Sequence, residues 1–153
     1  MSVETTSEPR IPEAPDRDEI VRVVHLYTDA SGAHKPKMLW EAFHPTARIY
    51  YTDPEGELHV NGILKADEGS ATMPPGPASV DIWPAMDQYG HVEGRIIQVT
   101  QCGDVAVVVL GFDAEDPDFH WLDIHTLLKL DGTWKIMAKT ATHASRAGWA
   151  GKA

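Results

Sequence analysis

Basic residues are scarce in this chain. Its 153 residues include 13 Lys and Arg against 23 Asp and Glu, which gives a net charge of −10 with histidine neutral. The sequence contains no run of Lys or Arg, whereas binding to a phosphate backbone requires clustered basic side chains. We therefore expect no nucleic-acid partner.

Cysteine and long apolar runs are also nearly absent. The single cysteine, Cys102, excludes an internal disulfide and favours a reducing compartment. No apolar stretch approaches the roughly 20 residues of a membrane span. The N-terminus is acidic and rich in proline, unlike a signal peptide. These absences predict a cytoplasmic protein without a membrane partner.

The motifs of several enzyme and cofactor classes are missing. There is no glycine-rich phosphate loop of the GxGxxG or GxxxxGK[ST] type, and no serine in a nucleophile-elbow pattern. The eight histidines show no ligand spacing that would complete a set of three or four metal ligands. We therefore expect neither a cofactor nor a metal.

What is present indicates one α+β domain at residues 17–145, between flexible tails at 1–16 and 146–153. Apolar residues recur every three to four positions between residues 17 and 32, and a shorter helix fits residues 36–43. Alternating and apolar runs then predict strands at residues 47–52, 57–60, 92–101 and 104–112 and a final hairpin around 120–143. Residues 61–79 lack a regular pattern. The run 105–110 is continuously apolar, so we expect that strand to be buried on both faces.

The final hairpin carries the most informative pattern. Asp131-Gly132 is typical of a two-residue type I′ turn, which pairs Leu130 with Thr133. Counting back without interruption pairs His125 with Ala138 and Asp123 with Thr140. One face would then hold eight residues, which we predict to be covered: Trp121, Asp123, His125, Leu127, Trp134, Ile136, Ala138 and Thr140. The opposite, outer face would hold Leu122, Ile124, Thr126, Leu128, Lys135, Met137 and Lys139.

This layout resembles the nuclear transport factor 2-like (NTF2-like) superfamily, which includes ketosteroid isomerase and SnoaL-like cyclases. Within it, the chain is most similar to a small bacterial group called the lumazine-binding family. The residues that carry the resemblance are Tyr27, Phe43-His44-Pro45, Ala47, Asp123, Leu127-Leu128-Lys129, Asp131-Gly132, Trp134-Lys135-Ile136 and Lys139. The resemblance implies a cone: a strongly curved, mostly antiparallel sheet wrapped around N-terminal helices. It also implies a homodimer, which the apolar outer residues Leu122, Ile124 and Leu128 favour.

Four residues are candidates for chemistry inside such a cone. His125 could act as a general acid or base, with Asp123 fixing its tautomer and raising its basicity. Tyr27 or Tyr51 could donate a hydrogen bond to a developing oxyanion. The alternative is structural: Asp123 would bond Thr140, Tyr27 or a backbone amide, and His125 would be a satisfied core histidine. Trp121, Trp40, Trp83 and Thr140 are the predicted pocket wall.

Three functions therefore remain open. The first is a cofactor-independent lyase, such as a dehydratase, or an isomerase that acts on a small hydroxy- or keto-compound. The second is a binding module that holds a small hydrophobic ligand without chemistry. The third is a dimeric structural or regulatory domain in which the cavity is incidental.

Overall fold

The computed structural model describes residues 14–33, 36–53, 55–64, 92–114 and 120–141. Two helices and six strands lie in these ranges, in the order α1 (Arg17–Ala33), α2 (Pro36–Ala42), β1 (Phe43–Thr52), β2 (Leu58–Gly62), β3 (Val92–Cys102), β4 (Val105–Ala114), β5 (His120–Leu130) and β6 (Thr133–Ala141). The predicted elements are all present, although α2 ends one residue earlier than expected and Phe43 already belongs to β1. Residues 1–13 of the predicted tail 1–16, the predicted tail 146–153 and residues 65–91, with Trp83, lie outside the described ranges.

The six strands form one sheet in the order β2-β1-β6-β5-β4-β3. Neighbouring strands are antiparallel except β1 and β6, which are parallel. The pairing of β1 with β6 is interrupted between Phe43 and Arg48, where Pro45 has no N–H to donate. The α+β class and the mostly antiparallel sheet are thus confirmed.

The helices pack against one face of this sheet, which we call the inner face. In α1, Ile20, Val23, Val24 and Tyr27 are buried at helical spacing. The approach of α1 to β3 is close at Gly94, where a Cβ atom would lie 2.6 Å from Cγ2 of Thr28. The C-terminal carbonyls of α2 are also held to the sheet, since Lys135 of β6 donates to the main-chain oxygens of Trp40 and Glu41.

Asp16, just before α1, is fixed to three strands. Its carboxylate oxygen Oδ2 accepts hydrogen bonds from Lys129 Nζ at 3.0 Å, Trp134 Nε1 at 3.2 Å and Gln101 Nε2 at 3.3 Å. Its main-chain oxygen accepts from Ile20 N at 3.0 Å, as expected at a helix start. The side chain of Asp16 therefore anchors the beginning of α1 to the sheet instead of capping the helix.

The outer face of the sheet is largely uncovered in the single chain. Val105 and Val107 of β4 are exposed, as is Ile124 of β5, so the prediction that residues 105–110 are buried on both faces is wrong for this chain alone. The reason is that the helices cover one face of the sheet. None of the helices in the described ranges is both long and apolar enough to cross a bilayer.

Candidate functional site

The β5–β6 turn has the predicted geometry. Asp131 and Gly132 have positive φ angles of 49° and 80°, as a type I′ turn requires. Leu130 pairs with Thr133, Lys129 with Trp134 and Leu127 with Ile136. The predicted register is therefore confirmed for the half of the hairpin next to the turn, and Trp134 and Ile136 are buried on the inner face.

Beyond this point a β-bulge changes the register. Leu127 pairs with Ile136, but Thr126 pairs with Ala138, so Met137 is an extra residue on β6. A bulge of this kind shifts all later pairs and turns their side chains to the other face. His125 consequently pairs with Lys139 and Asp123 with Ala141. The predicted pairs of His125 with Ala138 and Asp123 with Thr140 are wrong.

The bulge also exchanges the two faces of β6. Lys139, predicted on the outer face, is buried on the inner face, whereas Thr140 is exposed and pairs with Ile124. Thr140 is therefore not placed to line an inner pocket. The Lys139 side chain lies in front of Asp123 and His125 in place of the predicted Ala138 and Thr140.

Three elements thereby bring together four polar side chains, which we call the polar quartet: Tyr27 from α1, Asp123 and His125 from β5, and Lys139 from β6. Lys139 Nζ lies 2.9 Å from Asp123 Oδ2 and donates a 2.7 Å hydrogen bond to the Tyr27 hydroxyl. The Tyr27 ring contacts the His125 ring edge to face, with centroids 5.5 Å apart. Asp123 and His125 are fully buried, and Tyr27 is 2% exposed.

Burial and charge act in opposite directions on the Asp123–Lys139 pair. Burial raises the pKa of the Asp123 carboxyl, and the nearby ammonium of Lys139 limits this rise. Burial alone would lower the pKa of Lys139, but Asp123 and Tyr27 together raise it above the ordinary lysine value. We conclude that Lys139 is protonated at neutral pH. Asp123 is a more basic carboxylate than a solvated one.

The surroundings of His125 do not match its predicted role as a general acid or base that Asp123 orients. Its Nε2 lies 3.8 Å from Asp123 Oδ2, which is too long for a hydrogen bond. Burial and then the charge of Lys139 lower the pKa of His125 to about 3, so its imidazole is neutral at physiological pH. Asp123 therefore does not raise the basicity of His125 as expected, because Lys139 rather than His125 is the group closest to the carboxylate.

Several polar atoms of the polar quartet have no hydrogen-bond partner. Within the part of the chain that the structure describes, both ring nitrogens of His125 and the Oδ1 atom of Asp123 are buried and unpaired. The Oδ2 atom has the ammonium at 2.9 Å as an ion pair, without a well-aligned hydrogen bond. Buried polar groups in native proteins are usually satisfied, so unpaired ones indicate a missing water, ion or ligand, or a catalytic role.

Comparisons with known proteins identify the fold. No protein-family model and no curated protein matches the chain. Among solved structures, an NTF2-like protein of unknown function from Shewanella baltica OS155 is 17% identical, with a TM-score of 0.60, and the match covers 86% of this chain and 96% of that one. Another, from Methylobacillus flagellatus KT, is 23% identical with a TM-score of 0.61, covering 85% and 93% of the two chains. The chain has an NTF2-like fold.

A ketosteroid isomerase-like protein from Erwinia carotovora atroseptica also matches this fold. It is 13% identical, with a TM-score of 0.56, and the match covers 84% of this chain and 95% of that one. The predicted NTF2-like cone is confirmed by these likenesses. Identities this low establish the fold and not the family, so the relation to the lumazine-binding family stays a prediction.

The other predicted site residues lie at different places in the NTF2-like fold. Trp121 is buried and stacks on Phe112 with centroids 4.9 Å apart, and Trp40 is buried with an unpaired Nε1. Tyr51 is partly buried, stacks on His59 at 5.0 Å and accepts a 3.3 Å hydrogen bond from Asn61. The contacts described for Tyr51 thus belong to the β1–β2 hairpin and not to the polar quartet.

Lys139 is the residue of the polar quartet that the sequence prediction placed on the wrong face of the sheet. A strict two-residue alternation after Trp134 and Ile136 assigns Lys139 outward, and nothing in the local composition indicates the bulge at Met137. Lys139 was, however, one of the residues that carry the resemblance to the NTF2-like superfamily. No group of three or more metal-ligating side chains occurs within the described ranges.

Proposed function

We propose that this protein binds a small molecule inside the cone and catalyses proton transfer on it without a cofactor. The reaction class is a lyase of the dehydratase type, or an isomerase, on a small hydroxy- or keto-compound. The observation that carries the proposal is the polar quartet: a buried carboxylate, ammonium, phenol and neutral imidazole with unpaired hydrogen-bonding atoms. Such a cluster is costly to bury, which favours a functional role over a purely structural one.

The electrostatics favour Asp123 as the base. Burial raises the pKa of its carboxyl, and a carboxylate of raised pKa is a better proton acceptor near neutral pH. His125, whose pKa is lowered to about 3, is a neutral hydrogen-bonding group and a weak base. This assignment exchanges the roles that the sequence predicted for the two residues.

Tyr27 is the oxyanion donor in this proposal. Its hydroxyl oxygen accepts a hydrogen bond from the Lys139 ammonium at 2.7 Å, which polarises the phenol and strengthens its own O–H as a donor. A phenol in a buried site can stabilise negative charge that develops on a carbonyl oxygen. Lys139 acts through Tyr27 and Asp123 and is a positioning residue.

The reaction steps balance with these groups alone. Asp123 takes the proton from a carbon next to the carbonyl, and the C–H electron pair moves into an enolate whose oxygen faces Tyr27. In a dehydratase, the enolate re-forms the carbonyl, a C=C bond forms, and the β-hydroxyl leaves with the proton from Asp123 as water. In an isomerase, the same proton returns to another carbon. Trp121, Trp40, Trp83 and Tyr51 are proposed as pocket wall.

Deuterium exchange into simple ketones tests this proposal. Small ketones are incubated with the protein in D₂O, and exchange next to the carbonyl is followed by NMR. We expect wild-type protein to accelerate exchange and Asp123→Asn to lower the rate about 10²-fold or more. Tyr27→Phe should also lower it, and Asp16→Asn, which changes a carboxylate far from the polar quartet, should keep the wild-type rate.

Two outcomes would contradict parts of the proposal. Exchange by Asp123→Asn at the wild-type rate would exclude Asp123 as the base. Binding of small molecules without exchange of any ketone would favour the alternative, a binding module. The unpaired ring nitrogens of His125 and the unpaired Oδ1 atom of Asp123 are the observation that favours this alternative, since a bound ligand could satisfy them without any reaction.

The outer sheet face supports a homodimer. Paired residues form a row across five strands: Val60, Tyr50, Thr140, Ile124 and Val109. Val60 is 44% exposed and Ile124 45%, and apolar surface of this kind is typical of an interface when it is contiguous. Size-exclusion chromatography at micromolar concentration should give a dimer; a species of 16.8 kDa would contradict it. The exposed, unpaired Cys102 fits the proposed cytoplasmic location.

A further inference from the structure

We propose that the polar quartet binds a neutral hydroxyl group of its ligand in preference to a ketone, a carboxylate or a phosphate. This inference rests on the proposed function and narrows the substrate to a hydroxy-compound. The unpaired hydrogen-bonding atoms and the net charge of the polar quartet support it.

The unpaired atoms require a partner that both donates and accepts. Asp123 Oδ1 is an acceptor without a donor, and neutral His125 has one N–H and one lone pair, both without partners. The 3.8 Å between His125 Nε2 and Asp123 Oδ2 shows that the two residues do not satisfy each other. A hydroxyl group can donate to one of them and accept from the other.

A ketone fits this arrangement less well. Its oxygen can accept from the His125 N–H but cannot donate, so Asp123 Oδ1 and the imidazole lone pair would stay unpaired. A buried acceptor without a donor carries its full desolvation penalty. A site built to bind a hydroxyl group therefore binds the analogue that lacks the donor more weakly.

An anion fits least. The charge of Asp123 is balanced by Lys139 at 2.9 Å, while His125 and Tyr27 are neutral, so the polar quartet has no net charge. The ammonium is already engaged by the carboxylate and by the Tyr27 hydroxyl. A carboxylate or phosphate would enter a buried site beside Asp123 without a cation of its own, and like charges in such a site repel strongly.

Matched probes on two frameworks test the preference. The first set is 1-indanol, 1-indanone and indane-1-carboxylate; the second is benzyl alcohol, benzaldehyde and benzoate. Binding to the full chain at pH 7 is measured by protein-observed NMR. On at least one framework we expect the alcohol to bind about tenfold tighter than the carbonyl probe, a difference of about 1.4 kcal/mol. The carboxylate should bind more weakly still.

The outcomes separate this inference from the function on which it rests. If a carbonyl or carboxylate probe binds as tightly as its alcohol on both frameworks, the hydroxyl inference is overturned and the pocket remains. If no probe binds on either framework, the small-molecule pocket itself is contradicted. A crystal structure of the alcohol complex should place the hydroxyl oxygen within hydrogen-bond distance of His125; a hydroxyl elsewhere overturns the inference.

A pair of variants gives an independent readout. His125→Phe and His125→Leu remove both ring nitrogens, so each should weaken binding of the alcohol and of the carbonyl probe, which both accept from the imidazole N–H, while leaving weak binding of the apolar framework. Because these nitrogens have no hydrogen bonds to lose, at least one variant should melt at or above the wild-type temperature at pH 7. A large loss of melting temperature in both would show that His125 is hydrogen-bonded in the free protein, which overturns the inference.

Discussion

Two carboxylate–lysine pairs lie at opposite ends of the β5–β6 hairpin. The distance between nitrogen and oxygen is nearly the same in both, but their exposure and their surroundings differ. Asp16 Oδ2 lies 3.0 Å from Lys129 Nζ near the turn, and Asp123 Oδ2 lies 2.9 Å from Lys139 Nζ beyond the bulge. The side chains of the first pair are about one-third exposed, at 30% and 33%, whereas those of the second are 0% and 11% exposed. The pair distance alone therefore says little about what each pair does.

The surroundings of the two carboxylates decide their chemistry. Hydrogen bonding from Lys129 contributes most to lowering the pKa of Asp16, and Trp134 and Gln101 add to it. Burial raises the pKa of Asp123, whose Oδ1 accepts no hydrogen bond. The Asp16 pair is satisfied and holds α1 to the sheet. The carboxylate of the Asp123 pair has unsatisfied hydrogen-bonding capacity, which is expected of a group that binds a ligand.

Replacing each lysine should give the largest difference in stability between the two pairs. Lys139→Met leaves the buried Asp123 without a cation, and we expect a loss of about 3–5 kcal/mol in the free energy of unfolding. Lys129→Met is the matched control at the partly exposed pair, with an expected loss of about 0–1 kcal/mol. Urea denaturation at pH 7 measures both.

A double variant sharpens the first result. Lys139→Met combined with Asp123→Leu replaces the buried pair by apolar groups, so it should recover most of the stability that Lys139→Met alone loses. Equal losses for Lys139→Met and Lys129→Met would mean that solvent reaches Asp123 and that the contrast between the pairs is wrong.

Acidification should reveal the neutral state of His125. Its pKa is lowered from 6.5 to about 3, so unfolded chains bind the extra proton first, and the contribution of His125 to stability is lost as the pH falls from 6.5 towards 3. Asp123 acts with the opposite sign, because its raised pKa makes the carboxyl favour folding at low pH. The pH dependence of the wild-type free energy of unfolding therefore contains two contributions of opposite sign.

The difference in the free energy of unfolding between wild type and His125→Leu isolates the contribution of His125. As the pH falls through this window, the variant should gain stability relative to wild type by about 1.4 kcal/mol per pH unit. Denaturant curves at several pH values measure it. A pH-independent difference would show that the imidazole is solvated or already protonated in the folded protein.

Added salt should change stability least, and it should weaken the Asp16–Lys129 pair but not the Asp123–Lys139 pair. Partly exposed charges are screened by about 1 M salt, whereas buried pairs are screened much less. The stability difference between wild type and Lys129→Met should therefore shrink towards zero at high salt, and that between wild type and Lys139→Met should persist. Unfolding in NaCl series provides the measurement, and equal salt dependence of both differences would contradict the assigned burial.

The contrast between the two ends also explains what could be predicted from the sequence. Asp131-Gly132 determines the turn, because few dipeptides accept positive φ at both positions, and the register follows for the next few pairs. The bulge at Met137 has no comparable local signal, since it depends on how β6 bends between β5 and β1. The inner position of Trp121, Asp123 and His125 was therefore predicted correctly, and that of Lys139 was not.

The same reasoning applies to the rest of the fold. The buried stripe of α1 was predictable because helical spacing is a property of neighbouring residues. The pairing of Asp16 with Lys129 was not, because the two residues are 113 positions apart and meet only through the sheet. Asp123 and His125 were chosen from their spacing, but their electrostatics depend on Lys139 and hence on the register.

The position of β6 in the middle of the sheet has a consequence for synthesis on the ribosome. β1 lies between β2 and β6, so one of its edges stays unpaired until β6, the last of the six strands, has been made. Contacts that join distant parts of a chain form late and slowly, and an unpaired edge can pair with other chains in the meantime. A chain that stops before β6 would lack a central strand and expose two further sheet edges, on β1 and β5, which promote aggregation or chaperone binding.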